Sequence, residues 1–162
     1  MKKYKWIIIL INLIMLLGFF NNSIFQKEEL ITDGQLVLLE LAPVDPRSLM
    51  QGDYMRLRYA ISSSINSDSI SKRGFCVVKL EENGVAKKVR IQENKMPIND
   101  NEFLIEYTSK KWSNINIGAE SYFFEEGEAD KYEKAKYGGI KVDSQGNSLL
   151  IGLYDEQLKR IE

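Results

Sequence analysis

Histidine is absent from this sequence and cysteine occurs once. Without an imidazole there is no Ser-His-Asp or Cys-His catalysis, no side chain titrating near neutrality in its ordinary range, and no His-containing zinc site. A lone Cys76 can form neither an internal disulfide nor a Cys-rich metal centre. Its setting, Phe75-Cys76-Val77-Val78, reads as a buried strand in which the thiol is a small apolar group. Clustered positive charge is also missing. The net charge is -1, and setting aside Lys2, Lys3 and Lys5 leaves 19 basic against 23 acidic residues. A mildly acidic body lacks the basic face that a nucleic-acid partner requires. No residue pattern calls for a cofactor.

What the chain does have is a long apolar run. Trp6 to Phe20 contains Asn12 as its one strongly polar residue, and Tyr4 to Phe25 supplies the roughly 20 residues needed to cross about 30 Å of hydrocarbon. Tyr4, Trp6, Phe19 and Phe20 suit the two interfaces, and Lys2, Lys3 and Lys5 hold the preceding end in the cytoplasm. A cleaved signal peptide is the rival reading, but Gly18-Phe19-Phe20-Asn21-Asn22 places bulky residues where cleavage wants small ones. The expectation is an anchor over 1–25, a charged helical continuation or tether over 26–33, and an extracytoplasmic domain over 34–162.

That domain reads as mainly β. Gln35 to Leu41 is nearly continuously apolar, as in a strand central to a sheet. Pro43 and Pro46 fix a turn, and Gly52-Asp53 supplies a second. From there to Ile61 the pattern alternates strictly: Tyr54, Arg56 and Arg58 on one face, Met55, Leu57, Tyr59 and Ile61 on the other. Ser62 to Lys72 is a polar connector. Asn83-Gly84 between two alternating segments, 74–80 and 85–92, signals a hairpin. Further strands are expected at Glu102–Thr108 and Asn116–Phe124, and a helix at Glu128–Tyr137 stopped by Gly138-Gly139. In that helix Ala129, Tyr132, Ala135 and Lys136 face inward. A last hairpin turns at Asp143–Asn147. Seven or eight strands and one short helix imply a compact antiparallel sheet domain, a sandwich or barrel-like body.

Three ordered blocks resemble the GDYXXLXY family of bacterial membrane-anchored proteins. Gly52-Asp53-Tyr54, Leu57 and Tyr59 match the naming motif, preceded by Pro43 to Leu49. Phe123 to Gly127, followed by Tyr132, Ala135 and Tyr137-Gly138, is similar to the second block. Ile140 to Asp143, Gly146 and Leu149 to Leu153 are similar to the third. Gly139 departs from the family pattern, which carries a larger, often acidic residue there. The resemblance implies an N-terminal anchor and an extracytoplasmic domain of unassigned function, found beside polytopic membrane proteins. It carries over no catalytic residues.

Four sharper chemistries compete with plainer explanations. Leu49-Met50-Gln51-Gly52-Asp53 is similar to the Leu-x-x-Gly-Asp that follows the nucleophilic serine of signal peptidases, whose Ser-Lys chemistry needs no histidine. The matching serine position is Val44, however. Ser48 is displaced by four residues, too far to stay in line with a base such as Lys79, Lys87 or Lys88. Glu125, Glu126, Glu128, Asp130 and Glu133 could hold a hard cation, but they have the spacing of no calcium loop, and a solvated helix start is the favoured reading. Tyr54, Tyr59, Tyr122, Tyr132 and Tyr137 could line a groove for a peptide or glycan, or serve as core and rim packing. Arg47 beside Asp45 or Asp53 fits a turn brace or an anion contact. The expectation is therefore a non-enzymatic module that docks a membrane or envelope protein. Its candidate surface is Asp45, Arg47, Gly52, Asp53, Tyr54, Leu57 and Tyr59 with Phe124, Glu126, Gly127, Tyr132 and Tyr137.

Overall fold

The computed structural model describes residues 2–42, 54–63, 70–109 and 114–162. The apolar run and the charged residues after it form one unbroken helix, α1 (Lys2–Asp33). At 1.5 Å per residue it is about 48 Å long, more than a bilayer core requires. Its apolar stretch is exposed on every side, as an all-round hydrophobic helix is when only lipid would cover it. The 26–33 segment is thus continuous helix. Leu30 is buried against the domain, and the helix closes where the Gly34 amide donates to the Leu30 carbonyl at 3.1 Å.

Eight strands follow among the described residues: β1 (Gln35–Glu40), β2 (Tyr54–Arg56), β3 (Arg73–Leu80), β4 (Ala86–Gln92), β5 (Glu102–Thr108), β6 (Ser121–Phe123), β7 (Tyr137–Val142) and β8 (Ser148–Tyr154). Two single-turn helices, α2 (Ala60–Ser63) and α3 (Ala129–Tyr132), accompany them. The strands form three antiparallel sheets, ordered β1-β7-β8, β2-β6 and β4-β3-β5. The mainly β body behind an apolar helix is as expected.

β1 is not central. It is the hydrogen-bonding edge of its sheet, yet Val37, Leu38 and Leu39 are all buried. Val37 and Leu39 point into the main core, while Leu38 meets Val85 and Tyr154 in a second cluster. The Leu38 amide donates to the Gly84 carbonyl at 3.1 Å, so the β3–β4 turn covers the edge. A continuously apolar strand requires two buried faces, and a neighbouring hairpin supplied the second.

That hairpin forms as its Asn-Gly signal requires. Gly84 sits at φ 83°, and the Val85 amide donates to the Asn83 side-chain oxygen at 3.0 Å. β3 is the middle strand of its sheet and hides Cys76, Val77 and Val78 completely. β5 has its expected limits. Arg90 of β4 donates twice to the Glu102 carboxylate, at 2.7 and 2.8 Å, forming a two-pronged pair.

Three elements depart from expectation. Among the described residues of the alternating stretch, 54–61, the ladder is only three residues long. Tyr59 then bridges Leu41, and Ala60 to Ser63 coils into α2, although Met55, Leu57, Tyr59 and Ile61 are buried as the alternation demands. Of 116–124, only Ser121–Phe123 is a strand, with one bridge at Asn116. The helix expected over 128–137 is a single turn. Lys136, assigned inward, is exposed because its amide donates to Tyr154 O at 2.8 Å and its carbonyl accepts from Leu41 N at 2.8 Å. Sheet edges claim this segment, and Tyr137, Gly138 and Gly139 belong to β7 rather than to a helix stop.

Candidate functional site

The motif strand and the second block meet in the β2–β6 ladder, in the register Tyr54 to Phe123, Met55 to Tyr122 and Arg56 to Ser121. Successive side chains of a strand alternate between faces, so this short ladder sorts its aromatics. On the inner face, Met55 is buried and the Tyr122 ring stands edge-on to Tyr132 at 5.1 Å and 66°. Phe124 reaches the same Tyr132 at 5.4 Å and 35°. Burial, then the adjacent Tyr132, pushes the Tyr122 hydroxyl up to about 12. On the outer face Tyr54 and Phe123 pair at 5.8 Å and 39°, and remain 38% and 73% exposed. Exposed Arg56 shares that face.

Behind the ladder, the other motif residues are structural. Leu57 is buried, and its amide donates to Glu120 O at 2.8 Å. Tyr59 is fully buried and its hydroxyl donates to Ala119 O at 2.6 Å, tying the motif to the 115–120 segment. Burial, with Glu120 as a second cause, pushes that hydroxyl far above the ordinary tyrosine range. A Cβ on Gly138 would lie 2.8 Å from the Tyr59 ring and 3.0 Å from its hydroxyl. Only glycine lets β7 pass so close. Gly139 does the same for Tyr154, whose ring would lie 2.3 Å from an added Cβ. The larger residue expected at 139 therefore demands a different placement of Tyr154.

Glu120 is half-buried, and burial raises its carboxyl against the lowering effect of the backbone amides of the 117–120 turn. The Ile117 amide donates to it at 2.5 Å. Its chemistry is thus spent on holding that turn. The acidic run is dispersed: Glu126 is exposed, Gly127 turns the chain at φ 87°, and Glu128 pairs with Lys131. Among the described residues no three acidic side chains converge as a cation site.

The structure thus gathers Tyr54, Leu57, Tyr59, Phe124 and Tyr132 around one ladder. Tyr137 is elsewhere, half-buried in the second cluster with Leu36 and Leu158. Asp45, Arg47, Gly52 and Asp53, with Ser48, lie outside the described residues. Phe123 lies within the second block, Phe123–Tyr137, that the sequence marks as functional surface, but it is not among the individual candidate residues, and neither are Glu120 and Gly138. Strand alternation through Tyr122-Phe123-Phe124 is the signal that could have marked Phe123 as the outward ring. The roles of Glu120 and Gly138 exist only through contacts with residues distant in sequence. A cavity of about 1220 Å³ lies away from this ladder, between the later turns of α1 and the β domain.

A family model described as GDYXXLXY protein matches residues 16–153. No curated protein and no solved structure matches the chain.

Proposed function

This chain belongs to the GDYXXLXY family, and from that membership we propose a single-pass, non-catalytic anchor protein whose extracytoplasmic β domain docks a partner at the bacterial cell envelope. Membrane association is supported by α1, with an apolar stretch long enough to span a bilayer. The orientation follows from Lys2, Lys3 and Lys5 at the near end of the span. The single observation that carries docking is the Tyr54–Phe123 pair. Two rings are left in solvent side by side, Tyr54 on the strand that bears the family motif and Phe123 opposite it on β6. Exposed aromatics beside an arginine have the composition of an interface centre. With Arg56 on the same face, they fit an apolar partner surface carrying acidic groups at its edge. The absence of histidine supports the non-catalytic reading.

The test places a photo-crosslinking residue at Phe123, and for comparison at Val89, which is exposed at 47% on β4, in the full chain in its native membrane. Adducts from position 123 but not 89, abolished by Tyr54→Ser without loss of melting temperature, are the expected result. Equal labelling at both positions sinks the docking reading. An acyl adduct trapped on Ser48 would overturn the non-catalytic one.

A further inference from the structure

The composition of α1 sets the depth of its later turns in a membrane. The apolar stretch ends at Phe25, which marks the outer limit of the hydrocarbon. From Gln26 to Asp33 the helix continues without a break for about 12 Å at 1.5 Å per residue. The polar headgroup layer on one side of a bilayer is roughly 5–8 Å thick, so these turns cross it and emerge just beyond. The cavity of about 1220 Å³ has this part of α1, from Ser23 to Asp33, as one wall, with β5 and the β7–β8 turn opposite. It therefore opens within the headgroup layer. Its lining is divided. Leu30, Ile98, Phe103, Leu104, Ile117 and Leu149 are apolar, while Lys27, Arg73, Glu29, Asp33 and Glu106 carry charge. Among the described residues, none of these five charged side chains is engaged in a hydrogen bond or an ion pair. Two further acids of the wall are already occupied, Glu102 by Arg90 and Asp143 by the amides of its own turn.

We propose that this cavity binds the headgroup end of a glycerophospholipid whose phosphate carries a primary ammonium, as in an ethanolamine head. This rests on the membrane-anchored reading above. Position names the class of ligand, because at this depth the molecules around the chain on every side are lipids. Charge narrows the class. Two free cations and three free carboxylates make a wall of mixed sign, which a purely anionic head meets with repulsion. A phosphate takes Lys27 and Arg73, and the guanidinium can hold it by two parallel N–H donors. An ammonium with three N–H donors takes Glu29, Asp33 or Glu106, whereas a trimethylated choline has no donor to offer them. The volume exceeds the about 300–1,000 Å³ of an ordinary small-ligand pocket. That leaves room for the glycerol and the first acyl carbons against Leu30, Phe103 and Leu149. Lys27, Arg73 and Glu106 are exposed, so solvent keeps each contact small and selectivity comes from their sum.

The experiment reconstitutes the full chain in phosphatidylcholine vesicles doped in turn with three photoactivatable lipids. Each carries a diazirine on the first acyl carbons, and their heads are phosphoethanolamine, phosphocholine and phosphoglycerol. Labelled peptides are then sequenced. Expected is labelling of Phe103, Leu104 and Leu149 by the ethanolamine lipid, roughly three- to thirty-fold above the other two. Lys27→Gln with Arg73→Gln should bring that yield down to the choline level, and Lys27→Arg with Arg73→Lys should restore it. Melting followed by near-ultraviolet circular dichroism should be the same for all of these variants, which shows that they are folded. Equal labelling by the three heads, labelling confined to α1, or a yield unmoved by the Gln variants would each overturn the proposal. Full competition by free phosphoethanolamine would give the site to a soluble ligand, and a yield that falls as the chain is packed more densely would give it to a second copy. Either result overturns the lipid. A chain that stays in carbonate-washed vesicles without cavity labelling removes this proposal alone, whereas release by carbonate removes the membrane-anchored reading with it.

Discussion

Replacing Tyr59 by Phe removes one atom from the middle of the motif and tests whether that residue is a structural pin. The ring of Tyr59 is fully buried and its hydroxyl donates to the Ala119 carbonyl at 2.6 Å. Phenylalanine fills nearly the same space, so the cavity contribution is small and the loss comes from a buried carbonyl left unpaired. That costs about 1–3 kcal/mol. At about 2 kcal/mol, a chain of this size melts roughly 4–8 °C lower. Near-ultraviolet circular dichroism of the full chain in detergent micelles reads this from the domain's aromatic signals. Gly138→Ala attacks the same contact from the other side, with a Cβ 2.8 Å from the Tyr59 ring and 3.0 Å from its hydroxyl. Overpacking costs about 1–3 kcal/mol, offset by roughly 0.4–1 kcal/mol from a stiffer unfolded chain. Because the Phe variant withdraws one of the two clashing groups, the double variant should cost less than the two singles together by about 0.5 kcal/mol or more. A Tyr59→Phe melting temperature within about 1 °C of the parent, or additivity within about 0.3 kcal/mol, refutes the pin.

Two other groups give sharp expectations. The hydrogen bonds from Arg90, followed by the Asn99 amide, hold the Glu102 carboxyl at about 2 instead of 4.5. Its stabilising contribution is complete above pH ~4.5 and disappears as the pH falls toward ~2. Urea midpoints measured across that window should therefore fall less steeply in Glu102→Gln, and an unchanged slope would count against the pair. Burial, opposed by Lys88, pushes the Cys76 thiol up to about 12. A disulfide reagent at pH 8 should then modify native protein at least about a thousand-fold more slowly than denatured protein. Comparable rates would mean that β3 is not the closed centre of its sheet.

Local patterns were legible wherever a short period or a turn residue decided the outcome. The β3–β4 hairpin needed only Asn83-Gly84, and β5 needed only its alternation. Along Tyr54 to Ile61, alternation correctly sorted buried from exposed side chains but could not supply a ladder, because a strand lasts only while a partner edge runs beside it. β6 offers three residues of edge. The acidic, lysine-rich stretch after Gly127 has the local composition of a helix, yet Lys136 and Tyr137 are taken by Tyr154, Leu41 and Glu40 in sheet pairing. Packing overrode propensity there. Of the candidate surface, Tyr54 was readable as outward-facing. Tyr59 was readable as buried, but its part in joining distant segments was not.

By itself the sequence determined that one helix is apolar for a bilayer's thickness, that imidazole and paired-thiol chemistry are excluded, and that the remainder folds as sheet. Composition and periods of 2 and 3.6 residues are properties of neighbours along the chain. The tertiary structure alone decided that Tyr59 is fastened to Ala119, 60 positions away, and that Lys141 closes on Gly34, 107 positions away, at 2.7 Å. It also decided that two glycines make room for two tyrosine rings, and that the domain hangs on the Leu30 side of α1. Each of these depends on which surfaces meet when the chain closes, and no local period encodes that.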